Sequence, residues 1–422
     1  MAKRILLATT GTRGDIQPFT ALALGLKDAG YDVCLAAPEN FLSEIRRQGL
    51  EATRCGGDFQ AFMNDPDIQD FINGNTLTRM RQTRSLTRKW LGEAIPDMVN
   101  ASKGADAILF HPKLEFATDI SEATGIKAIL CAFQPFTATA EFPVLTLPWR
   151  TLGGFLNRAT YKLLRLSRSF VSKEFNQWRA DLLGLPPLGR FGYPFAVKGA
   201  PVPVLYGISP AIISRPKDWP RNVYLTGYWF LDNEPSYTLP KALSAFVHAG
   251  SPPIYIGFGS MPLQDPEAMS RTLIDALERA GLRAIIAKGW GDFDPAKSTH
   301  LPESLHVLDS VPHEHLFPLV SAVVHHGGAG TTAAGLRTGR PTLICPFLID
   351  QPFWGRRIAY LGAGPPPLAP KRWTVERLAA ALKDLTIRSS YRDAAGALQQ
   401  EINQEDGVQT AVACVRAEIG DP

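Results

Sequence analysis

The sequence predicts an α/β protein made of two domains of similar construction. Its 422 residues exceed what one ordinary hydrophobic core organises, and this length favours two or three domains. Two stretches, starting at Lys3 and Pro252, pass from an apolar strand through a glycine turn into an amphipathic helix and a second strand. Strands that alternate with helices indicate a parallel sheet covered on both faces. We therefore predict one such sheet in each half of the chain.

The domain boundary is predicted near residues 227–240, GYWFLDNEPSYTLP, where aromatic, acidic and proline residues interrupt the periodic pattern. This assigns residues 1–235 to an N-terminal domain and residues 236–422 to a C-terminal domain. Apolar residues at helical spacing predict that further stretches are helical throughout. These stretches are residues 76–99, 149–184, 374–385 and 391–419.

Composition excludes several classes of protein. Hydrophobic residues make up 45% of the chain and charged residues 20%, which is typical of soluble globular proteins, and the net charge of +4 is too small to indicate a nucleic-acid binder. The first apolar run breaks at Thr9 and Gly11, too early for a signal peptide, and no apolar stretch reaches the roughly 18 residues of a membrane span. The five scattered cysteines are expected to be reduced thiols. We expect a soluble, cytoplasmic protein.

The stretch VVHHGGAGTTAAGLRTGRPTLICPF, from Val323, places two histidines and a glycine turn between a strand and a helix. Glycines allow a ligand to approach the backbone closely, and the first amides of a helix bind phosphate oxygens. His326 beside this turn can donate a further hydrogen bond to an anion. A tight structural turn with a packed histidine explains the same residues, since glycine turns alone are weak signals.

Asp350 and Gln351 follow the next predicted strand, at the edge of the sheet where open α/β folds bind ligands. A carboxylate and an amide together accept and donate the hydrogen bonds that paired sugar hydroxyls offer. The competing interpretation is that Asp350 is simply the N-cap of the helix that begins with QPFWGRR.

Two signatures together resemble one known family. Residues 325–365 resemble the donor-binding segment of nucleotide-sugar glycosyltransferases with two Rossmann-like domains, in the sterol glucosyltransferase-like and antibiotic glycosyltransferase branch. Residues 11–33, GTRGDIQPFTALALGLKDAGYDV, resemble the opening of the same branch. The resemblance implies the GT-B arrangement of two Rossmann-like domains facing a cleft, with the C-terminal helix packing back toward the N-terminal domain. It also implies inverting transfer of a hexose from a nucleotide-sugar, with UDP-glucose favoured, to a hydroxyl of a hydrophobic acceptor such as a sterol or polyketide, without a metal or cofactor.

The resemblance further implies which residues bind the donor. His326 and the backbone from Gly328 to Thr331 would hold the diphosphate, and Asp350 and Gln351 the sugar. Plant relatives stack a tryptophan on the base where this chain has Ser310, so Trp290 is the candidate replacement. The full implied donor set is Ser260, Trp290, Val311, His326, Gly328, Ala329, Gly330, Thr331, Asp350 and Gln351.

Transfer needs a base for the acceptor hydroxyl, and the resemblance places Asp15 in that position. A carboxylate is ionised at neutral pH and accepts a proton weakly unless its pKa is raised. The alternative is that Asp15 only caps the following helix. Four residues after neighbouring strands are candidates for acceptor contact: His111, Phe133, Gln134 and Phe136. For His111 the alternatives are a second candidate base or a structural histidine, and for the other three the alternative is ordinary loop packing.

Two helical passages are rich in basic residues, which either dock on an anionic membrane or form an ordinary solvated face. They contain Arg79, Arg81, Arg84, Arg88 and Lys89, and then Arg158, Lys162, Arg165 and Arg168. The histidines at 313, 315, 325 and 326 match no zinc spacing. Two other functions stay open: a nucleotide-sugar 2-epimerase of the same architecture, and a non-catalytic protein that binds sugar nucleotides or lipids.

Overall fold

The computed structural model describes residues 2–73, 76–147, 151–169, 171–189, 191–231, 237–259, 261, 265–289, 294–295, 301–347 and 350–422. The chain divides into two compact units, Met1–Asp232 with Asp406–Pro422, and Asn233–Glu405. The predicted boundary between residues 235 and 236 lies outside the described residues. The last helical stretch clusters with the first unit, whereas the sequence assigned it to the second domain.

The first unit is built on a parallel sheet of strand order β3-β2-β1-β4-β5-β8-β9. The central strands are almost wholly buried, since helices cover both faces of a parallel sheet. The strands are β1 (Arg4–Ala8), β2 (Asp32–Ala37), β3 (Glu51–Arg54), β4 (Ala107–Phe110), β5 (Lys127–Ala132), β8 (Val204–Tyr206) and β9 (Val223–Leu225), with β6 (Ala196–Val197) and β7 (Ala200–Pro201) forming a separate antiparallel pair.

The helices of the first 232 residues differ from the sequence prediction in one stretch. They are α1 (Arg13–Asp28), α2 (Leu42–Arg47), α3 (Phe59–Met63), α4 (Pro66–Asn73), α5 (Thr76–Ala101), α6 (Ala117–Thr124), α7 (Gly154–Thr160), α8 (Leu163–Ser169) and α9 (Ser172–Leu183). The continuous helix predicted over residues 149–184 is wrong, because this stretch forms α7, α8 and α9. Asn157 of α7 donates to the Ala140 carbonyl at 2.7 Å, and Thr160 accepts from the Val144 amide at 2.9 Å. These bonds to a neighbouring loop fix a short helix where periodicity alone favours a long one.

The second unit repeats the order of the central strands, β12-β11-β10-β13-β14, all parallel. Alternate residues of β10 face opposite layers, so Ile254 and Ile256 pack in one buried cluster and Tyr255 in the other. Its strands are β10 (Ile254–Gly257), β11 (Ala284–Ala287), β12 (Leu305–Leu308), β13 (Ala322–His325) and β14 (Thr342–Ile344). Its helices are α10 (Lys241–His248), α11 (Pro266–Ala280), α12 (His313–Leu316), α13 (Ala329–Arg337), α14 (Gln351–Tyr360), α15 (Val375–Ile387) and α16 (Ser389–Gln404).

The last helix, α17 (Gly407–Ile419), packs against α1 of the first unit. The helix predicted over residues 391–419 is therefore two helices, and Asp406 caps the second by accepting from the Gln409 amide at 3.0 Å. Glu418 on α17 pairs with Lys127 at 3.0 Å and accepts from the Tyr224 hydroxyl at 2.8 Å. The predicted return of the C-terminal helix to the N-terminal domain is confirmed.

Two expectations drawn from composition can be compared with the described residues. None of the helices in the described ranges combines the length and the apolar character that crossing a bilayer requires. All five cysteines are free thiols, and every one except Cys414 is buried.

Candidate active site

Both sheets have a topological switch point, a place where the strand order runs in opposite directions on either side. In the first unit it lies between β1 and β4, and in the second between β10 and β13. Ala8 at the end of β1 is in register with Phe110 at the end of β4, so the loops that follow these strands meet. Open α/β sheets bind ligands at this position. The predicted base Asp15 follows β1, and His111 follows β4.

Asp15 is the third residue of α1, and its side chain helps to cap the N-terminus of the helix. Its Oδ2 accepts the backbone amide of Thr12, the N-cap residue, at 2.8 Å. The same oxygen accepts from Nζ of Lys113 at 3.1 Å, and Oδ1 lies 3.2 Å from Nε2 of His111. The side chain is 16% exposed. Asp15 therefore caps the helix, and the same carboxylate also contacts Lys113 and His111.

The contacts of Asp15 determine its charge. Burial by itself raises the pKa of Asp15, but the Lys113 ammonium and His111 lower it by more, so the pKa lies well below the usual carboxyl range. Asp15 is therefore an anion throughout the physiological range and a weak base in the unliganded chain.

His111 is a buried, neutral imidazole directed at Asp15. Its Nδ1 accepts the backbone amide of Lys113 at 3.3 Å, which caps the short turn Pro112–Leu114. Because Nδ1 accepts, the proton of the neutral ring is on Nε2, the atom that faces Asp15. Burial lowers the pKa of His111 by more than the neighbouring carboxylate raises it. With 2% of its surface exposed, His111 lies behind Asp15.

Sequence reasoning missed Lys113 and the aromatic cluster next to it. Nζ of Lys113 lies 5.9 Å from the ring centroid of Phe59, and Phe59 and Phe62 pack on Trp90 at 4.9 and 4.8 Å. The Trp90 indole donates to the Thr10 hydroxyl, in the loop before Asp15, at 3.1 Å. A lysine after a strand is an unremarkable feature of a sequence. Only the pairing of β1 with β4 gives it a partner.

The remaining candidates for acceptor contact mostly pack within the protein. Phe133 is 6% exposed and contacts Phe19, His111 and Trp229. The backbone amide of Phe136 donates to the Tyr206 hydroxyl at 2.9 Å. The ring of Phe136 lies 5.8 Å from that of Phe195, so both phenylalanines have contacts within the protein. Gln134 is partly exposed, and contact between an acceptor and this loop stays a prediction.

In the second unit, the predicted phosphate turn joins β13 to α13. Gly327 has φ 98°, and a Cβ there would lie 2.7 Å from Cγ2 of Ile344, so this turn requires glycine. The first amides of α13, including those of Gly330 and Thr331, have no acceptor within the helix. This geometry suits an anion.

The two adjacent histidines differ in surroundings. His325 is fully buried on β13, and its Nδ1 accepts the Gly327 amide at 3.0 Å, which makes it part of the turn. His326 is partly exposed beside the start of α13. Burial lowers the pKa of His326 to about 4, so a hydrogen bond from His326 to an anion comes from a neutral ring.

Asp350 and Gln351 are both engaged at the start of α14. Asp350 occupies the N-cap position, but its side chain makes no capping bond; Oδ2 instead accepts from the Trp354 indole at 3.1 Å. Gln351 is 5% exposed, and its Oε1 accepts the Phe347 amide at 2.7 Å. Their contact with a sugar stays a prediction.

The other donor residues that the resemblance implies are less informative. Val311 lies between β12 and α12 and is partly buried. Ser260 and Trp290 lie outside the described residues. Among the side chains that the structure describes, no three or more His, Cys, Asp or Glu residues come together as metal ligands.

Comparisons with known proteins show which domain families and which solved folds this chain resembles. Residues 5–143 match the glycosyltransferase family 28 N-terminal domain, and residues 286–415 match the erythromycin biosynthesis protein CIII-like C-terminal domain. The fold is that of the calicheamicin glycosyltransferase CalG4, with TM-score 0.72, 16% identity and 99% and 98% of the two chains covered. The spinosyn forosaminyltransferase SpnP gives TM-score 0.69, 16% identity and coverage of 99% and 100%. The fold is thus shared with solved glycosyltransferases of two Rossmann-like domains, and the N-terminal part of the chain matches a glycosyltransferase family 28 domain.

Sequence similarity extends along the whole chain to sterol glucosyltransferases. Sterol 3-beta-glucosyltransferase UGT80A2 of Arabidopsis thaliana is 35% identical over 424 residues, which cover 97% of this chain and 64% of the plant protein. The sterol 3-beta-glucosyltransferase of Candida albicans is 33% identical over 430 residues, covering 98% and 28%. This chain therefore spans less than two thirds of the length of these relatives.

Proposed function

We propose that this chain is an inverting glycosyltransferase that moves glucose from UDP-glucose to a hydroxyl of a hydrophobic acceptor, such as a sterol. The observation that carries the proposal is the group Asp15, His111 and Lys113 at the switch point of the first unit. The similarity to proteins named sterol 3-beta-glucosyltransferases supports the choice of acceptor class.

On the acceptor side, Asp15 accepts the proton of the attacking hydroxyl. As the acceptor oxygen bonds to the anomeric carbon, the bond from that carbon to the diphosphate oxygen breaks and the electron pair leaves with the diphosphate. A carboxylate of low pKa takes the proton late, when bond formation has made the hydroxyl acidic. His111 lies behind the carboxylate and orients it through Oδ1.

On the donor side, the start of α13 binds the diphosphate. The first amides of the helix and the neutral ring of His326 are fixed donors, and such groups stabilise a departing negative charge without rearrangement. Asp350 and Gln351 would hold the sugar hydroxyls, with the roles of Ser260, Trp290 and Val311 resting on the family resemblance.

A mass-spectrometric assay of the full chain tests this function. UDP-glucose and dTDP-glucose are each incubated with a sterol, a polyketide or no acceptor; the second donor is included because solved relatives are described with DTDP or thymidine diphosphate bound. We expect a sterol product heavier by one hexose from UDP-glucose. Conversion of the donor without acceptor to an isomer of equal mass, separated by chromatography, would instead indicate an epimerase, and binding without turnover a non-catalytic protein.

We also propose peripheral contact with an anionic membrane, through α7 and α8. Phe155 is 85% exposed, Leu156 53% and Leu163 43%, and the exposed cations Lys162 and Arg165 lie among them. Exposed apolar groups beside cations suit a bilayer interface.

The other basic passage has a different character, and it supplies the control. There, Arg88 pairs with Glu174 at 3.5 Å and Lys89 with Asp65, which favours the solvated-face interpretation for α5. Flotation with phosphatidylserine vesicles should be reduced by Phe155→Ser and unaffected by Arg88→Ser. Equal flotation of all three chains would contradict the membrane proposal.

A further inference from the structure

Lys113 contacts the candidate base directly, yet the family resemblance assigns it no role. Its Nζ lies 3.1 Å from Oδ2 of Asp15, while its backbone amide donates to Nδ1 of His111 at 3.3 Å. One residue thus touches both members of the acid–imidazole pair, the carboxylate through its side chain and the imidazole through its backbone. The side chain of Lys113 is 49% exposed, and the ring of Phe59 lies under it at 5.9 Å.

The main chain leaves space for this ion pair. Gly11 has φ 136°, and a Cβ on it would lie 2.1 Å from Oδ2 of Asp15 and 2.6 Å from Nζ of Lys113. Both atoms of the pair therefore occupy the volume that any other residue at this position would need. The close approach of the loop to the ammonium and the carboxylate is built into the turn after β1.

No other described cation competes for Asp15. The charged or titratable groups that face it are His111 and Lys113, both from the turn after β4. Arg13, its neighbour on α1, pairs with Glu44 on α2 at 3.3 Å. Burial acts on Asp15 in the opposite direction and favours the protonated form. The ammonium of Lys113, together with His111, thus opposes the effect of burial.

We propose that Lys113 is a positioning residue for the transfer proposed above: it holds the Asp15 carboxylate ionised, with Oδ1 turned toward His111 and ready to receive the acceptor proton. The inference rests on the proposed function for its catalytic meaning. The electrostatic effect of the Lys113 ammonium on the Asp15 carboxylate is inferred from the contacts alone. An opposite charge within about 4–6 Å lowers a carboxyl pKa by roughly one to three units.

The pH profile of transfer tests the proposal. In Lys113→Met the acid limb of kcat/KM should move upward by about one to three pH units, because burial of Asp15 is then opposed by His111 alone. Lys113→Gln keeps a hydrogen-bond donor without the charge and should shift in the same direction, whereas Lys113→Arg should restore the original limb. A lysine that only ties the turn to α1 would change stability or KM and leave the limb in place.

Lys127→Met is the matched control, since Lys127 forms an ion pair with Glu418 at 3.0 Å in the same unit, with a similar exposure of 44%. Its profile should equal that of the unmodified chain. An acid limb at the same pH in Lys113→Met, Lys113→Gln and the unmodified chain would overturn the proposal.

A second readout separates failure of this inference from failure of the proposed function. The carboxyl carbon of Asp15, labelled with ¹³C-aspartate and assigned by its loss in Asp15→Asn, can be titrated by NMR without any substrate. Titration at higher pH in Lys113→Gln supports the coupling even if no acceptor is ever glycosylated. Titration at the same pH in both chains refutes it even if transfer is efficient.

Discussion

Nε2 of His111 lies 3.2 Å from Oδ1 of Asp15, a contact made by residues that follow two strands, β4 and β1, which are distant in sequence and adjacent in the sheet. The strand order produces this contact, because β1 and β4 flank the switch point and their loops leave the same edge. The more exposed partner is the carboxylate and the buried partner is the imidazole. Under the proposed function, an acceptor would meet Asp15 before His111, and we therefore propose proton acceptance for Asp15 and orientation for His111.

Asp15→Asn should lower kcat by about 10²–10⁴-fold, the usual contribution of a positioned base, with donor affinity almost unchanged. Asparagine preserves the shape and removes the charge. Turnover and calorimetric binding of UDP-glucose measure the two effects. Asp32→Asn is the control, because Asp32 pairs with Arg4 at 2.8 Å on the surface of the same unit and should retain full activity. Near-normal turnover in Asp15→Asn would remove Asp15 from the mechanism.

The ionisation of Asp15 also predicts how stability depends on pH. Its pKa is lower in the folded than in the unfolded chain, so the carboxylate stabilises the fold above its ordinary pKa, and this contribution is lost as pH falls toward the folded value. The difference in unfolding free energy between Asp15→Asn and the unmodified chain should therefore be constant near neutrality and shrink below about pH 4. Urea denaturation at a series of pH values measures it. A difference that grows on acidification would contradict the depressed pKa.

Much of the fold followed from local sequence pattern, while the contacts of the site did not. The βα turns that start at Arg4 and Ile254 are coded by apolar runs, glycine and amphipathic periodicity, all within one short segment. The break after Thr160 involves a bond to a separate loop, and the break before Asp406 involves a local N-cap; hydrophobic periodicity records neither. The contact of Lys113 with Asp15 could not be predicted either, because it depends on the pairing of β1 with β4.

The geometry of the turn after β1 predicts that alanine substitutions at two nearby glycines, Gly11 and Gly14, have very different effects. Gly11→Ala should abolish most transfer and destabilise the fold by more than about 1 kcal/mol, because the new Cβ overlaps Asp15 and a positive φ becomes strained. Gly14→Ala is the control: its Cβ would meet only the Thr12 hydroxyl at 3.8 Å, and alanine suits the first turn of α1. Chemical denaturation and turnover of both variants test the prediction. Equal tolerance of the two substitutions would show that the ion pair does not need this space.

The low pKa of His326 predicts that donor affinity does not change with pH near neutrality. Because burial lowers its pKa to about 4, the ring stays neutral between about pH 6 and 8, and UDP-glucose affinity should be constant there. His326→Ala removes a neutral donor and should weaken binding about fivefold, equivalent to roughly 1 kcal/mol. His248→Ala, on α10 of the same unit, should have no effect. Affinity that rises steeply as pH falls from 8 to 6 would instead require a protonated His326.

We predict that replacing Trp354 changes sugar recognition, although Trp354 itself is not proposed to contact the sugar. Its indole donates to Oδ2 of Asp350 at 3.1 Å from a position that is only 1% exposed, so it fixes the carboxylate proposed to bind the sugar. Trp354→Phe keeps most of the ring in the core and removes this donor. Since a lost hydrogen bond costs about 1 kcal/mol, KM for UDP-glucose should rise roughly fivefold.

The matched control is Trp373→Phe, which removes the indole donor to the Leu368 carbonyl at 3.2 Å and should leave KM unchanged. Calorimetry with UDP alone completes the test, because UDP contains the diphosphate and lacks the sugar. UDP affinity should be the same in Trp354→Phe as in the unmodified chain. If UDP and UDP-glucose weaken in parallel, the substitution has disturbed the turn before α13 or the core beneath it, and Asp350 has no selective role toward the sugar.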